Sequence, residues 1–435
     1  MDQLWISLIL LAALAVMLAA GVWIAIALLG LGFIGMVFFT NSPAGLLMAT
    51  TIWGSSTSWA LTALPLFIWM GEILFRSRIS EDMFAGLAPW MDALPGRLVH
   101  CNVIGCGVFA AISGSSTATA LTIGKITIPE LRKRNYDESM VVGSLAGAGT
   151  LGLMVPPSII LIVYGVAADV SIARLFVAGV LPGVVLMLLF SGYIAGWALL
   201  NPGRTPPRAI RMGFGQKLWA ARFLIPTVLL IAAVIGSIYA GIASPTESAA
   251  LGVVGALLLS AASRTLDWKT FADSVMGAMR TSCMIAFILT GAAFLTVAMG
   301  FTGVPRAIAE WIARMGLTPG ELILVLTLLF MVLGCFLDGI SMVVLTAAVI
   351  LPSVRAAGID LLWFGIFIVL VVEMAQLTPP VGFNLYVLQA LTGRNMFYVA
   401  RASLPFFFLM ALAVALIWIF PEIVGYLPSK MFAVK

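Results

Sequence analysis

Five hydroxyls fall within seven residues at Ser113, Ser115, Ser116, Thr117 and Thr119, inside sequence apolar enough to lie in lipid. Hydroxyl oxygens and exposed backbone carbonyls are hard, neutral ligands, suited to a dehydrated Na⁺. A half-helix starting just after such a stretch would offer its positive end to an anion. The plain alternative is packing, because Gly, Ala, Ser and Thr let membrane helices approach closely. Downstream, Pro156 and Pro157 remove two successive amide donors and force the preceding residue out of helical geometry. Carbonyls of Gly149, Thr150 and nearby residues are expected to lose helical partners there. An ion or a facing loop could satisfy them.

A second stretch repeats this grammar. Leu337-Asp338-Gly339-Ile340-Ser341 is followed by Thr378-Pro379-Pro380-Val381-Gly382. Asp338 is a functional candidate by default, either as a cation ligand or as a cap for the following helix, and both roles can hold at once. Asn384 could turn its amide toward substrate or ion, or merely supply packing polarity. At one spacing of 223 residues, without gaps, Pro129 falls on Pro352, Pro156 on Pro379, Pro157 on Pro380 and Pro182 on Pro405. Chance placement of the prolines would give about half a pair at any one spacing, so an internal duplication is expected. Helices interrupted at matching points of two halves are the sequence pointer to a transporter's binding site.

Other polar residues have simpler roles. Glu72 stands four residues before Arg76 and suits an interfacial ion pair. Glu247, after Ser244-Pro245-Thr246, fits the first turn of a helix. His100 is expected as a solvated surface histidine rather than a proton relay. Glu373, within the second broken span, is open to either a structural or a transport role.

These elements need a membrane to hold them. Of 435 residues, 62% are hydrophobic and 9% charged, with a mean hydropathy of +1.14. That composition fits a polytopic membrane protein and excludes an ordinary soluble domain. The apolar start follows Asp2 rather than a basic head, so it is expected as a retained span. Cys101, Cys106, Cys283 and Cys335 are isolated from one another, and His100 is the only histidine. Disulfide and transition-metal chemistry therefore have no support. The basic pI of about 9.2 reflects loops between spans rather than nucleic-acid binding.

Spans of about 20 apolar residues are expected at 4–20, 22–40, 47–75, 139–166, 174–200, 223–242, 246–263, 281–301, 360–391 and 404–421. Two stretches with polar centres, 97–130 and 320–354, are expected as re-entrant hairpins. Their non-helical tips are tolerated at membrane depth only in protein or against a wet cavity. Placing the loops after 75, 130, 200, 263 and 391 in the cytoplasm puts seventeen of 23 Lys and Arg residues there. Arg174, Arg306, Arg314, Arg355, Lys430 and Lys435 remain outside, which satisfies the positive-inside rule. Both termini are then periplasmic, and the two hairpins enter from opposite faces. Residues 266–280 and 303–316 are expected as amphipathic struts along the interface.

At these residues the chain resembles the large membrane (M, DctM-type) subunit of tripartite ATP-independent periplasmic (TRAP) transporters. The resemblance is carried by Ala111 through Ala120, Ile128 through Arg134, Gly149 through Ile159, Ser244 through Gly252, Phe336 through Gly339, and Thr378 through Asn384. It covers nearly the whole chain in order. It implies an all-α elevator transporter with an inverted repeat, two re-entrant hairpins and two Pro-Pro-broken helices. The corresponding division is residues 1–96 (scaffold and first arm), 97–200 (transport repeat 1), 201–317 (scaffold and second arm) and 318–426 (transport repeat 2).

The resemblance further implies Na⁺-coupled uptake of an organic anion, such as a C4-dicarboxylate, keto acid or sialic acid, across a bacterial or archaeal inner membrane. A periplasmic binding protein would deliver the anion, and a separate small (Q-type) subunit and membrane lipid would complete the assembly. No cofactor is expected beyond Na⁺ as coupling ion. One sodium site is expected from Ser113, Ser115, Ser116, Thr119, Gly149, Thr150 and Pro156. The other is expected from Asp338, Gly339, Thr378 and Pro379, with substrate near Ser116, Ser341 and Asn384. The nearest rival is a carrier of the same superfamily that needs no binding protein. An intramembrane enzyme would require a dyad, a metal cluster or a base beside a nucleophile, and no HExxH or GxSxG motif occurs. A channel fits paired, alternately exposed sites less well.

Overall fold

The computed structural model describes residues 3–207, 212–334, 337–379 and 382–431. Within them all regular structure is helical. Pro380, which belongs to the second proline doublet, lies outside the described residues, as do Cys335, Phe336, Val381 and both chain ends.

The duplication is visible as a repeated order of elements. In the first half, the hairpin arms His100–Ser113 and Ser116–Lys133 precede a helix broken into Glu138–Gly149, Leu151–Met154 and Ile159–Ala168. The long helix Ile172–Leu200 follows. In the second half, Pro319–Gly334 and Gly339–Ala356 precede Leu361–Ala375, Phe383–Thr392 and then Met396–Ile419. The paired prolines take equivalent places. Pro129 and Pro352 lie within the outgoing hairpin arms, and Pro182 and Pro405 within the long helices. The first broken helix bends by 43° at its proline doublet, where the Pro156–Pro157 peptide bond is cis.

Short polar side chains start these helices where the sequence supplies them. Asp137, Ser171, Asp267, Asp360 and Asn395 each accept a hydrogen bond from an amide in the first turn, satisfying donors that a helix start leaves open. Ser244 and Glu247 form a reciprocal capping box, as expected for Glu247. Glu72 and Arg76 pair at 3.0 Å.

A second group of helices packs on itself beside the duplicated units. Ile24–Phe39 lies along Trp268–Thr302, and Ala63–Phe75 lies against both that helix and Pro245–Ala262. Small residues permit the contact: a Cβ on Gly291 would sit 2.8 Å from the Ala25 carbonyl oxygen.

Several expectations need correction. The span at 47–75 is two helices, Ala44–Ser56 and Trp59–Phe75, bent by 50°. Hydroxyls of Ser55 and Thr57 bond back to the Ile52 and Trp53 carbonyls, competing with the helical ladder at this point. The strut at 266–280 is not separate. It is the start of one 35-residue helix, Trp268–Thr302, which holds no proline and ends at left-handed Gly303. The strut at 303–316 does form its own helix, Val304–Arg314. Further helices, Ile79–Met91 and Glu422–Lys430, lie outside the expected spans. His100 is buried rather than solvated. Gly96, at φ +87°, turns the chain so that the Pro95 carbonyl meets His100 Nε2 at 2.6 Å.

Candidate functional site

The first hairpin turns at Gly114 and Ser115. Gly114 has φ +59°, and a Cβ there would lie 3.0 Å from the Pro157 carbonyl oxygen. Glycine is therefore required both by conformation and by close approach. The Ile159 amide donates to the Gly114 carbonyl at 3.4 Å, so the tip is hydrogen-bonded directly to the proline break. Gly152 completes the seam, since a Cβ on it would meet the Ser115 carbonyl oxygen at 2.4 Å.

Within the tip, the Ser113 and Thr119 hydroxyls lie 2.7 Å apart. Thr119 donates to the Ser115 carbonyl at 2.7 Å, and Ser115 Oγ accepts from the Ala118 amide at 3.4 Å. Ser115 also lies 3.2 Å from the Thr117 hydroxyl. The hydroxyl cluster is thus ordered by its own bonds, with oxygens turned toward one another.

The carbonyls that the prolines deprive are those four residues earlier, at Gly152 and Leu153. Leu153 accepts instead from the Ser158 hydroxyl at 2.5 Å. Gly149 and Thr150 sit a turn upstream. Thr150 gives its hydroxyl to the Gly147 carbonyl at 2.6 Å, and Gly149 packs on Ala120 and near the Ser116 carbonyl. Pro156 packs toward Gly179. The structure therefore brings Ser113, Ser115 and Thr119 together at the tip and sets Ser115 and Ser116 against Gly149 and Gly152 of the broken helix, whereas the contacts of Thr150 and Pro156 are with Gly147 and Gly179.

In the second half, Asp338 caps the outgoing arm. Its Oδ2 accepts from the Ile340 and Ser341 amides at 3.1 and 3.2 Å, and its Oδ1 accepts from the Ser341 hydroxyl. Gly339 presses on the second broken helix, where a Cβ would stand 2.7 Å from Val372 and 3.0 Å from Gln376 Nε2. Thr378 donates its hydroxyl to the Ala375 carbonyl at 2.7 Å, just before the break. Pro379 follows at the break.

Both tips open onto one cavity of about 280 Å³. Ser113, Ser115, Ser116, Thr117, Asp338 and Gly339 line it, with Glu72, Thr281, Gln376 and Phe383. Among the described residues, no Lys, Arg or His contributes to its wall. Ser341 borders a second, largely apolar cavity of about 1410 Å³ beside the amino-terminal helix, which Asp338 and Arg280 also line. Asn384 borders neither cavity and is fully enclosed. Gln376, Thr281 and the cavity face of Glu72 were not among the expected site residues. For Gln376 the available signal was its place two residues before the Thr378-Pro379 break. Among the described residues, no group of three or more His, Cys, Asp or Glu could hold a metal ion.

Residues 11–423 match the family described as "Tripartite ATP-independent periplasmic transporter, DctM component". The chain belongs to this TRAP large-permease family. It is 30% identical over 387 residues to the C4-dicarboxylate TRAP transporter large permease DctM of Pseudomonas aeruginosa, covering 89% of this chain and 88% of that one. It is 34% identical over 385 residues to the ectoine/5-hydroxyectoine large permease UehC of Ruegeria pomeroyi, covering 86% and 87%. The crystal structure of the Alcanivorax borkumensis YdaH transporter shares the fold. Its TM-score is 0.64 at 11% identity, over 94% of this chain and 97% of that one. The permease thus carries a transporter fold, with its two hairpin tips facing a common cavity.

Proposed function

We propose that this permease imports a small organic anion by Na⁺ symport. The observation that carries this is the wall of the shared cavity, which among the described residues holds Asp338 and a band of hydroxyls but no basic side chain, Glu72 there being paired with Arg76. An anion entering alone would meet like charge, so cations must enter with it. One Na⁺ would sit where Ser113, Ser115, Ser116 and Thr119 meet Gly149, Thr150 and Pro156. The other would sit among Asp338, Gly339, Thr378 and Pro379, with substrate between the tips near Ser116. A volume of about 280 Å³ lies at the small end of ligand sites, which begin near roughly 300 Å³. Relatives named for C4-dicarboxylates and for ectoines agree with cargo of that size.

In this scheme the two hairpins and broken helices move as one body against the helices around Trp268–Thr302, in the manner of an elevator. A small membrane subunit completes the scaffold, and a periplasmic binding protein delivers the substrate. Both termini face the periplasm of an inner membrane. The test is uptake into proteoliposomes holding both membrane subunits, with the cognate binding protein outside. An inward Na⁺ gradient is expected to drive accumulation. Uptake indifferent to that gradient would overturn the coupling, and full uptake without the binding protein would favour a receptor-independent carrier.

A further inference from the structure

The duplication places Glu373 where the first half has Thr150, at the same spacing of 223 residues that pairs the prolines. Thr150 is fully enclosed and its hydroxyl is satisfied by the Gly147 carbonyl. Glu373 is as deeply enclosed, at 1% exposure, but it brings a carboxylate. That carboxylate faces Ser116 on the outgoing arm of the first hairpin and Asn384 after the second break. Neither carboxylate oxygen makes a hydrogen bond of good geometry, and neither polar atom of the Asn384 amide does. Asn384 is 0% and Ser116 2% exposed. Glu373 forms no ion pair with the described Lys or Arg residues.

Four enclosed polar atoms lacking well-formed bonds require an explanation, and a bound ion is one of the few available. A buried carboxylate is costly unless a cation or hydrogen bonds offset it. We propose that Glu373, the Asn384 side-chain oxygen and the Ser116 hydroxyl hold a further Na⁺, additional to the two at the hairpin tips and adjoining the first of them through Ser116. Ser116 also lines the shared cavity, so this ion would enter from the same water. The site bridges the two repeats: Ser116 belongs to the first, Glu373 and Asn384 to the second. Its occupancy would therefore fix the first hairpin against the second broken helix before the substrate is carried.

This inference rests on the Na⁺-symport reading and can fail separately from it. The experiment measures the Na⁺-to-substrate ratio by the reversal-potential method in proteoliposomes of the complete complex. Na⁺-dependent thermal stabilisation of the purified complex serves as a readout without transport. Glu373→Gln keeps the shape and removes the charge. It is expected to carry one Na⁺ fewer per substrate and to raise the Na⁺ concentration for half-maximal stabilisation roughly tenfold. Glu373→Asp, which shortens the carboxylate, should keep the ratio and raise that concentration several-fold.

A Na⁺-dependent wild type whose ratio survives Glu373→Gln overturns this site alone. A wild type indifferent to Na⁺ overturns the symport reading, and this site with it. Loss of pH dependence in place of Na⁺ dependence would assign Glu373 to a proton and overturn the Na⁺ site. Where Glu373→Gln fails to fold, Glu373→Asp decides, and unaltered Na⁺ affinity in that variant overturns the proposal.

Discussion

Ser115 and Asp338, 223 residues apart, hold the same post in the two halves of the permease. Each caps the outgoing arm of its hairpin, Ser115 on the Ala118 amide and Asp338 on the Ile340 and Ser341 amides. One cap is neutral and the other is charged. The duplicated units therefore share a backbone device while differing in electrostatics at the wall of the common cavity.

That difference separates folding from ion binding. Asparagine caps a helix about as well as aspartate, whereas loss of a cap costs about 1 kcal/mol. Asp338→Asn should unfold near the wild-type temperature yet need more Na⁺ for half-maximal uptake. Ser115→Ala should lose stability by about that cap energy. Thermal unfolding and Na⁺ titration of uptake, run side by side, check both. An Asp338→Asn variant with unaltered Na⁺ dependence would reduce the carboxylate to a cap.

Gly152 tests the seam. An alanine there would place its methyl 2.4 Å from the Ser115 carbonyl oxygen, so backbone must move. Gly152→Ala is expected to insert into the membrane and then lose most uptake, because the tip is displaced from the proline break. Gly196→Ala, where a Cβ meets nothing, is the control expected to transport normally. Equal uptake by the two variants would show that the seam tolerates displacement.

The two broken helices should differ in tolerance. Ser158→Ala removes the hydroxyl on the Leu153 carbonyl, and an unsatisfied buried acceptor costs about 1–3 kcal/mol. Thr378→Val removes a hydroxyl from the Ala375 carbonyl at the second break, but that carbonyl still accepts the Thr378 amide at 3.1 Å. Ser158→Ala should therefore destabilise more, as read by the unfolding temperatures of the two variants. The reverse order would mean that the hydroxyl on Leu153 is replaced, for example by water.

A polar latch closes the end of the duplicated units where the first broken helix begins. Glu138 pairs with Arg132 at 2.5 Å and with Arg394, and Arg132 also donates to the Thr392 carbonyl at 2.9 Å. One carboxylate thus ties the first hairpin to the second broken helix. Glu138→Gln should lower the unfolding temperature at low ionic strength, and the deficit should narrow as salt screens the pair in the parent. A deficit independent of salt would point to packing instead.

Much of this was legible in the residues because prolines and glycines act locally. Pro156, Pro157 and Pro379 mark breaks wherever they occur in an apolar run, and their spacing disclosed the duplication. The hydroxyl run at Ser113 through Thr119 disclosed a tip. What sequence hid depends on distant partners or on averaging. The bend at Ser55 to Ser58 disappears in a hydropathy window that spans it. The join at residue 280 showed a change of polarity but carries no helix breaker, so strut and span remain one helix. His100 was misplaced because its burial comes from the Gly96 turn, packed against Ile194. The cavity wall draws Thr281, Gln376 and Glu72 from helices whose meeting no local pattern records.

The helix Trp268–Thr302, at 35 residues, measures roughly 52 Å end to end, against a hydrocarbon thickness of about 30 Å. Being continuous, it has no joint at which to absorb the excess, so it must lean or run along the headgroups. Thinner or thicker lipid would tilt it as a whole, and the neighbouring Ile24–Phe39 with it. Acyl-chain length in the surrounding bilayer thereby becomes a control on how the helices packed against this long helix are held.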